Sequence, residues 1–210
     1  MAGELPEIVY RDERIVVVNK PEGLLSVPGI GAEKADCVAS RVSAWIPGAR
    51  IVHRLDRDTS GVMVMALDVE AHRQLSVQFQ DRVVKKVYVA MTAGVMEEDE
   101  GMIDMPIRKD MEHPPRQMVD YVHGRASATA WRVLERGEDR TRVELKPRTG
   151  RSHQLRLHMK SVGHPILGDD LYAPAEVVAM AERLMLHAWS LSLVHPGTSA
   201  WMRFEVACCF

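Results

Sequence analysis

Residues 51–80 read IVHRLDRDTSGVMVMALDVEAHRQLSVQFQ: an apolar lead, a dense polar turn, a second apolar run, then a helical spacing. The run at 62–67 predicts a strand on a rigid apolar base. Asp68 then stands where a helix N-cap belongs, Glu70 falls in the first turn, and Ala71, Leu75 and Phe79 recur at every fourth position. That pattern predicts a helix whose apolar stripe covers a sheet. Working outward, strand character returns at 14–19, 83–92, 126–134, 141–146, 153–159 and 200–206. In the last of these, Met202, Phe204 and Val206 are expected to face a core and Trp201, Arg203 and Glu205 solvent. Val38, Val42 and Trp45 form the stripe of another expected helix, stopped by Pro47 and Gly48. A third is expected to follow Pro174 and run to Met185. Strands and helices do not alternate strictly. The expected fold class is therefore α+β, a mixed and mostly antiparallel sheet with flanking helices, and not a doubly wound parallel sheet.

With 210 residues and 46% hydrophobic content, the chain can bury one sizeable core, so a single domain over 1–210 is expected. A net charge of −2 gives no global sign of a polyanionic partner, and only local clustering could carry one. Cys37, Cys208 and Cys209 offer neither a disulfide framework nor paired metal ligands. The first residues, MAGELPEIVYRDER, lack an apolar run, and no window approaches the roughly 20 apolar residues of a membrane span. An unexported, cytoplasmic protein with no membrane contact is expected. The acidic run at 97–100 reads as a solvated turn.

The polar turn places His53, Arg54, Asp56, Arg57, Asp58, Thr59, Ser60 and Gly61 between two apolar runs. Arg54 and Arg57 flank Asp56, and a guanidinium held near a carboxylate favours its ionised form, ready to act as nucleophile or base. Alternatively Asp56 caps the turn through Thr59 or Ser60, or pairs with Asp58 as the two carboxylates of a sugar-bond hydrolase. A second concentration lies at 145–169. Within residues 140–160, seven Arg and Lys face one acid, Glu144, a local charge of +6 that is expected either to form a plain solvated basic face or to attract phosphates. If 153–159 is a strand, Leu155, Leu157 and Met159 pack on one side, leaving Gln154, Arg156 and His158 available on the other. His153 and His158 would then lie on opposite faces, which argues against a shared metal. Such a strand without a catalytic carboxylate would suit a plain RNA-binding module. Tyr88, opposite in parity to Val87, Val89 and Met91, is expected either to turn its ring away from the core and offer it for base stacking or to pack in the core.

Taken in order, VNKPEGLLSVPG (18–29), HRLDRDTSG (53–61), KKVYVAM (85–91) and TGRSHQLRLHMKSVGHPILGD (149–169) resemble the motifs of the RluA-type pseudouridine synthases. The resemblance extends from Ile15 to about His195. It implies the pseudouridine synthase fold with a central catalytic cleft. It also implies an isomerase that converts specific uridines to pseudouridine in structured RNA, 23S ribosomal RNA and/or the transfer RNA anticodon stem-loop. Asp56 would be the catalytic aspartate, Arg54 would enter the space vacated by a flipped uridine, Tyr88 would stack on the uracil and Arg151 would pair with the carboxylate. The substrate-binding set is completed by His153, Gln154, Leu155 and Arg156. Many relatives carry an N-terminal S4 domain; with only a short stretch before the first motif, none is expected here. Moving the C1′ bond from N1 to C5 of the base neither gains nor loses atoms, so no cofactor and no metal is expected. The expected partner is RNA, engaged by a monomer.

Overall fold

The computed structural model describes residues 4–210. The chain divides into two compact units, residues 1–86 with 187–209, and residues 87–186 with Phe210. The first unit begins with β1 (Glu7–Arg11), β2 (Ile15–Lys20), α1 (Val38–Trp45), β3 (Arg50–Ile51), β4 (Ser60–Ala66) and α2 (Val69–Gln80). Then follow β5 (Lys85–Ala93), β6 (Glu100–Asp104), β7 (Ile107–Lys109), β8 (Gln117–Val119), β9 (Ala128–Arg136), β10 (Arg140–Pro147), α3 (Gln154–Ser161) and α4 (Ala175–Val178). The chain returns to the first unit with β11 (Leu186–Val194) and β12 (Trp201–Glu205).

In the first unit β2 pairs antiparallel with β1 and β4, β3 with β4, and β12 with β11, while β4 and β11 pair parallel. Continuous apolar runs explain why β2 and β4 are interior: Ile15 to Val18 are fully buried, and so is Val62 to Ala66 to within a few per cent. The parallel pairing sets one sequence requirement. Gly61 has φ +116° and faces Ala188 so closely that an added Cβ would sit 2.2 Å from its carbonyl oxygen, so no other residue fits the TSG turn. Helix α2 is capped as its sequence predicts, Asp68 accepting from the Ala71 amide at 2.9 Å, with Ala71 and Leu75 buried. The Gln78 side chain locks this helix to β11 by bonds in both directions with the Val194 backbone, 2.7 and 2.8 Å.

The second unit is an antiparallel sheet in which β10 lies between β5 and β9, and β9 between β10 and β6; β7 and β8 form a separate hairpin. Its core includes Ala90, Val143, Leu145, Leu155, Met159, Ile166 and Leu184.

Most predicted elements form, and three expectations need correction. Residues 153–159 are not a strand: Gln154–Ser161 is helix α3, and Gln154 to Met159 are all buried. The alternation was an accident of a helix covered on every side, whose polar residues are satisfied internally instead of by water. Trp45, placed on the apolar stripe of α1, is 67% exposed because that helix buries only Val38 and Val42. The helix after Pro174 ends at Val178, well short of Met185. The acidic turn at 97–100 is exposed as expected.

Candidate active site

The turn between β3 and β4 is held by its backbone. Immediately before Asp56, Leu55 exchanges two hydrogen bonds with one hydroxyl: Ser26 Oγ donates to the Leu55 carbonyl at 2.7 Å and accepts from its amide at 3.0 Å. Immediately after Asp56, the Arg57 carbonyl accepts from Lys20 Nζ at 2.7 Å, and the same ammonium donates to the Pro21 carbonyl at 2.7 Å. Both anchors are buried, Lys20 at 0% and Ser26 at 3% exposure. A buried ammonium is costly unless neighbouring acceptors solvate it, so Lys20 holds these carbonyls firmly. The Thr59 amide closes the turn on the Asp56 backbone carbonyl at 3.2 Å. Capping is thus done by the main chain. The half-buried Asp56 carboxylate takes no hydrogen bond or ion pair among the described residues.

Neighbouring charges are disposed differently from the sequence expectation. Arg57 turns to Asp58, 2.9 and 3.2 Å, so it is engaged away from Asp56, and Asp58 is itself neutralised. Arg54 is exposed, with no side-chain partner among the described residues, and so is free to meet a ligand.

His53 belongs to the scaffold. Its ring stacks on Phe79 at 4.5 Å, and its Nε2 accepts from the Val64 amide at 3.1 Å. Burial, aided by the nearby Lys86 ammonium, pushes its pKa down to about 3, so the ring is neutral and accepting. Ser60 Oγ meets His187 Nδ1 at 2.8 Å and the other ring nitrogen meets the Val206 carbonyl at 3.1 Å, joining the end of the turn to β11 and the chain's last residues. Because the unfolded His53 titrates near 6.5 and the folded one near 3, the unfolded state binds more protons as pH falls between them. Stability is therefore expected to be complete above pH ~6.5 and to decline below it, ahead of the carboxylates, which titrate near 4. Buried His158, its pKa also lowered by desolvation, adds to the same loss. Denaturant titrations between pH 7 and 5 should show the decline, and His53→Gln should flatten it; an unchanged slope would contradict the neutral, accepting imidazole.

In the second unit Tyr88 is half-buried and packs against the core, on the same strand face as Ala90 and opposite Leu145. Its ring does not leave the core side as parity suggested, because β5 is covered on both faces and Val89 is also buried. Arg151 is half-buried; its Nε donates to the Ala126 carbonyl at 3.3 Å and its amide to Gln154 Oε1 at 3.1 Å. His153 has φ 53°, a left-handed backbone uncommon outside glycine, and its Nδ1 lies 2.8 Å from the Tyr172 hydroxyl.

The remaining three candidates require correction as surface contacts. Gln154 spans Thr149, Thr129 and the Ala128 carbonyl, Leu155 lies in the core, and Arg156 is 2% exposed in a bidentate pair with fully buried Asp169. A guanidinium so placed cannot reach a phosphate. The basic cluster shrinks accordingly: Arg140 pairs with Asp139 and Lys146 with Glu144, leaving Arg142, Arg148, Arg151 and Lys160 without an ion pair among the described residues. Among the described residues no group of three or more His, Cys, Asp or Glu could hold a metal ion, and no helix is long and apolar enough to cross a membrane. The residues that the sequence reading missed are Lys20, Ser26 and Tyr172. A lysine ending the apolar run IVVVNK was the one available signal.

Residues 14–161 match the family model described as RNA pseudouridylate synthase. Over 199 residues the chain is 50% identical to the dual-specificity RNA pseudouridine synthase RluA of Yersinia pestis, covering 94% of this chain and 97% of that protein. Identity to the protein of that name from Escherichia coli is also 50%, over 94% and 91% of the two chains. Among solved structures, human RNA pseudouridylate synthase domain containing 1 superposes with a TM-score of 0.81 at 30% identity, covering 96% and 83% of the two chains. Human RNA pseudouridylate synthase domain containing 4 superposes with a TM-score of 0.78 at 26% identity, covering 96% and 88%.

Proposed function

Because this chain belongs to the RNA pseudouridylate synthase family and isomerises uridine in RNA to pseudouridine, we propose that Asp56 is the carboxylate that acts on the sugar–base unit. The observation carrying this reading is the pinned turn. Ser26 fixes the chain on one side of Asp56 and Lys20 on the other, while the carboxylate between them is engaged by nothing among the described residues. A group whose position is fixed and whose charge is unspent is what attack on C1′, abstraction of the C2′ proton or addition to C6 would each require.

The target must leave its stack to expose those atoms, at a cost of a few kcal/mol. Arg54, exposed on the same turn, is proposed to occupy the space left behind. Tyr88 is proposed to meet the base, and Arg151 and His153 to bind the substrate. The route conserves every atom, so the reaction is proposed to need neither metal nor cofactor, and to be carried out by a monomer in the cytoplasm. That residues 1–210 act as a single catalytic domain is likewise proposed.

The relatives named dual-specificity support a proposal that this chain also acts on more than one RNA, with ribosomal RNA and a transfer RNA anticodon stem-loop as the two classes. Unpaired loop nucleotides are what such proteins can read. Mapping pseudouridine across total RNA from cells with and without the protein tests this. Sites lost from both classes are expected, and loss from one class alone would overturn the dual assignment. Binding to such RNA should weaken steeply with salt, by counterion release, and a salt-independent Kd would contradict phosphate contacts.

A further inference from the structure

Unit two contains a groove that the proposed chemistry does not use. It lies between the stretch 110–119, which carries β8, and the C-terminal half of α3, and has a volume of about 380 Å³. Small-ligand sites fall at roughly 300–1,000 Å³, so the groove accommodates one nucleotide and not the broad face of a duplex. Its apolar wall includes Met118, Leu157, Leu171 and Tyr172, and its cations are Arg116 and Lys160.

Several other cations of this unit are held by carboxylates. Arg108 pairs with Asp120, Arg132 and Lys146 with Glu144, Arg136 with Asp99, and Arg140 with Asp139. Arg116 and Lys160 are exposed, and neither side chain has a hydrogen bond or ion pair among the described residues. The one acid at the groove, Asp110, does not neutralise them. Its oxygens accept from the Glu112 and His113 amides at 3.0 and 3.2 Å and meet the His113 ring at 3.2 Å. Tyr172 is fixed where it stands, since its hydroxyl accepts from the Gln117 amide at 2.8 Å and reaches His153 Nδ1 at 2.8 Å. A rigid aromatic and aliphatic wall beside two unspent cations is the chemistry that takes an unstacked base and its phosphate.

We infer that this groove binds an unpaired nucleotide of the RNA substrate, distinct from the uridine that reacts. The inference rests on the assignment of the chain as an RNA pseudouridine synthase and adds a second contact to it. Through Tyr172, an occupant would stand one hydrogen bond from His153, which ties the groove to the GRSHQ motif.

The test measures pseudouridine formation on a structured RNA transcript, as kcat and KM over a range of salt, for the native chain and Arg116→Gln/Lys160→Gln. Both positions are exposed, so thermal midpoints should match. The double variant is expected to raise KM about tenfold with kcat nearly unchanged, and to make the dependence of log KM on log salt shallower by about one for each lost phosphate contact. In parallel, uridine 5′-monophosphate and uridine are titrated while amide resonances of Gln117, Val119, Ser161 and Leu171 are followed. The monophosphate should shift them more than the nucleoside, and the double variant should lose the effect. Unchanged KM and salt slope in the variant, with active native protein, would overturn the inference and leave the enzyme assignment standing. Monophosphate binding with unchanged KM would assign the groove to a free nucleotide and also overturn it. A native chain that forms no product would sink the assignment itself.

Discussion

Asp56→Asn is expected to lower the rate of pseudouridine formation by more than about 10³-fold, the order seen when a group acting directly on the reacting atoms is removed. RNA affinity should stay within about threefold, since the change removes no cation and alters shape by a single atom. The variant should also fold normally, because the turn is fixed through main-chain groups: Ser26 on Leu55, Lys20 on Arg57 and the Thr59 amide on the Asp56 carbonyl. None of these bonds uses the Asp56 side chain. The measurement is single-turnover conversion of a labelled transcript, with Kd determined under the same conditions. Turnover within tenfold of the native rate would remove Asp56 from the chemistry, whatever its position. Binding and stability lost together would instead mean that the carboxylate serves the fold.

That experiment separates what the sequence disclosed from what it could not. The polar turn was readable because it interrupts two apolar runs, and those runs became β4 and, behind Asp68, the capped α2. Its support was not readable. Ser26 and Lys20 act across 29 and 37 residues, and nothing local to IVVVNK or SVPG announces which carbonyl each will hold. Arg57 illustrates the same limit in reverse, since adjacency to Asp56 suggested a pairing that the fold gives to Asp58. Strand prediction succeeded at 200–206, where Phe204 and Val206 are buried and Trp201 and Arg203 exposed. It failed at α3, where polar and apolar residues alternate although every residue from Gln154 to Met159 is buried, so the alternation does not mark a wet and a dry face. Half-burial also limits what parity can say of Tyr88 in a strand covered on both faces.

The failure at α3 has a consequence large enough to measure. Read as a strand, Arg156 is a surface cation for phosphate; read as it folds, it is the counter-charge of Asp169, whose exposure is 0%. Asp169 also accepts from the Leu171 and Tyr172 amides at 3.0 and 3.1 Å, so the pair organises the segment that carries Tyr172, and Asp170 adds a contact to the same guanidinium at 3.0 Å. Arg156→Met would leave a buried carboxylate without its cation, and such a break costs about 3–5 kcal/mol. Arg156→Lys keeps the charge but cannot reproduce the fork, so it should fall between the two. Adding Asp169→Leu to Arg156→Met should recover part of the loss and no more, because the two amides then lack an acceptor. Denaturant unfolding of the four proteins provides these numbers, and the salt dependence of RNA binding provides the contrast. If Arg156 met phosphate, its removal would leave stability unchanged and make the salt slope shallower by about one. The buried pair predicts the reverse: a large loss of stability with the slope unchanged for whatever fraction remains folded.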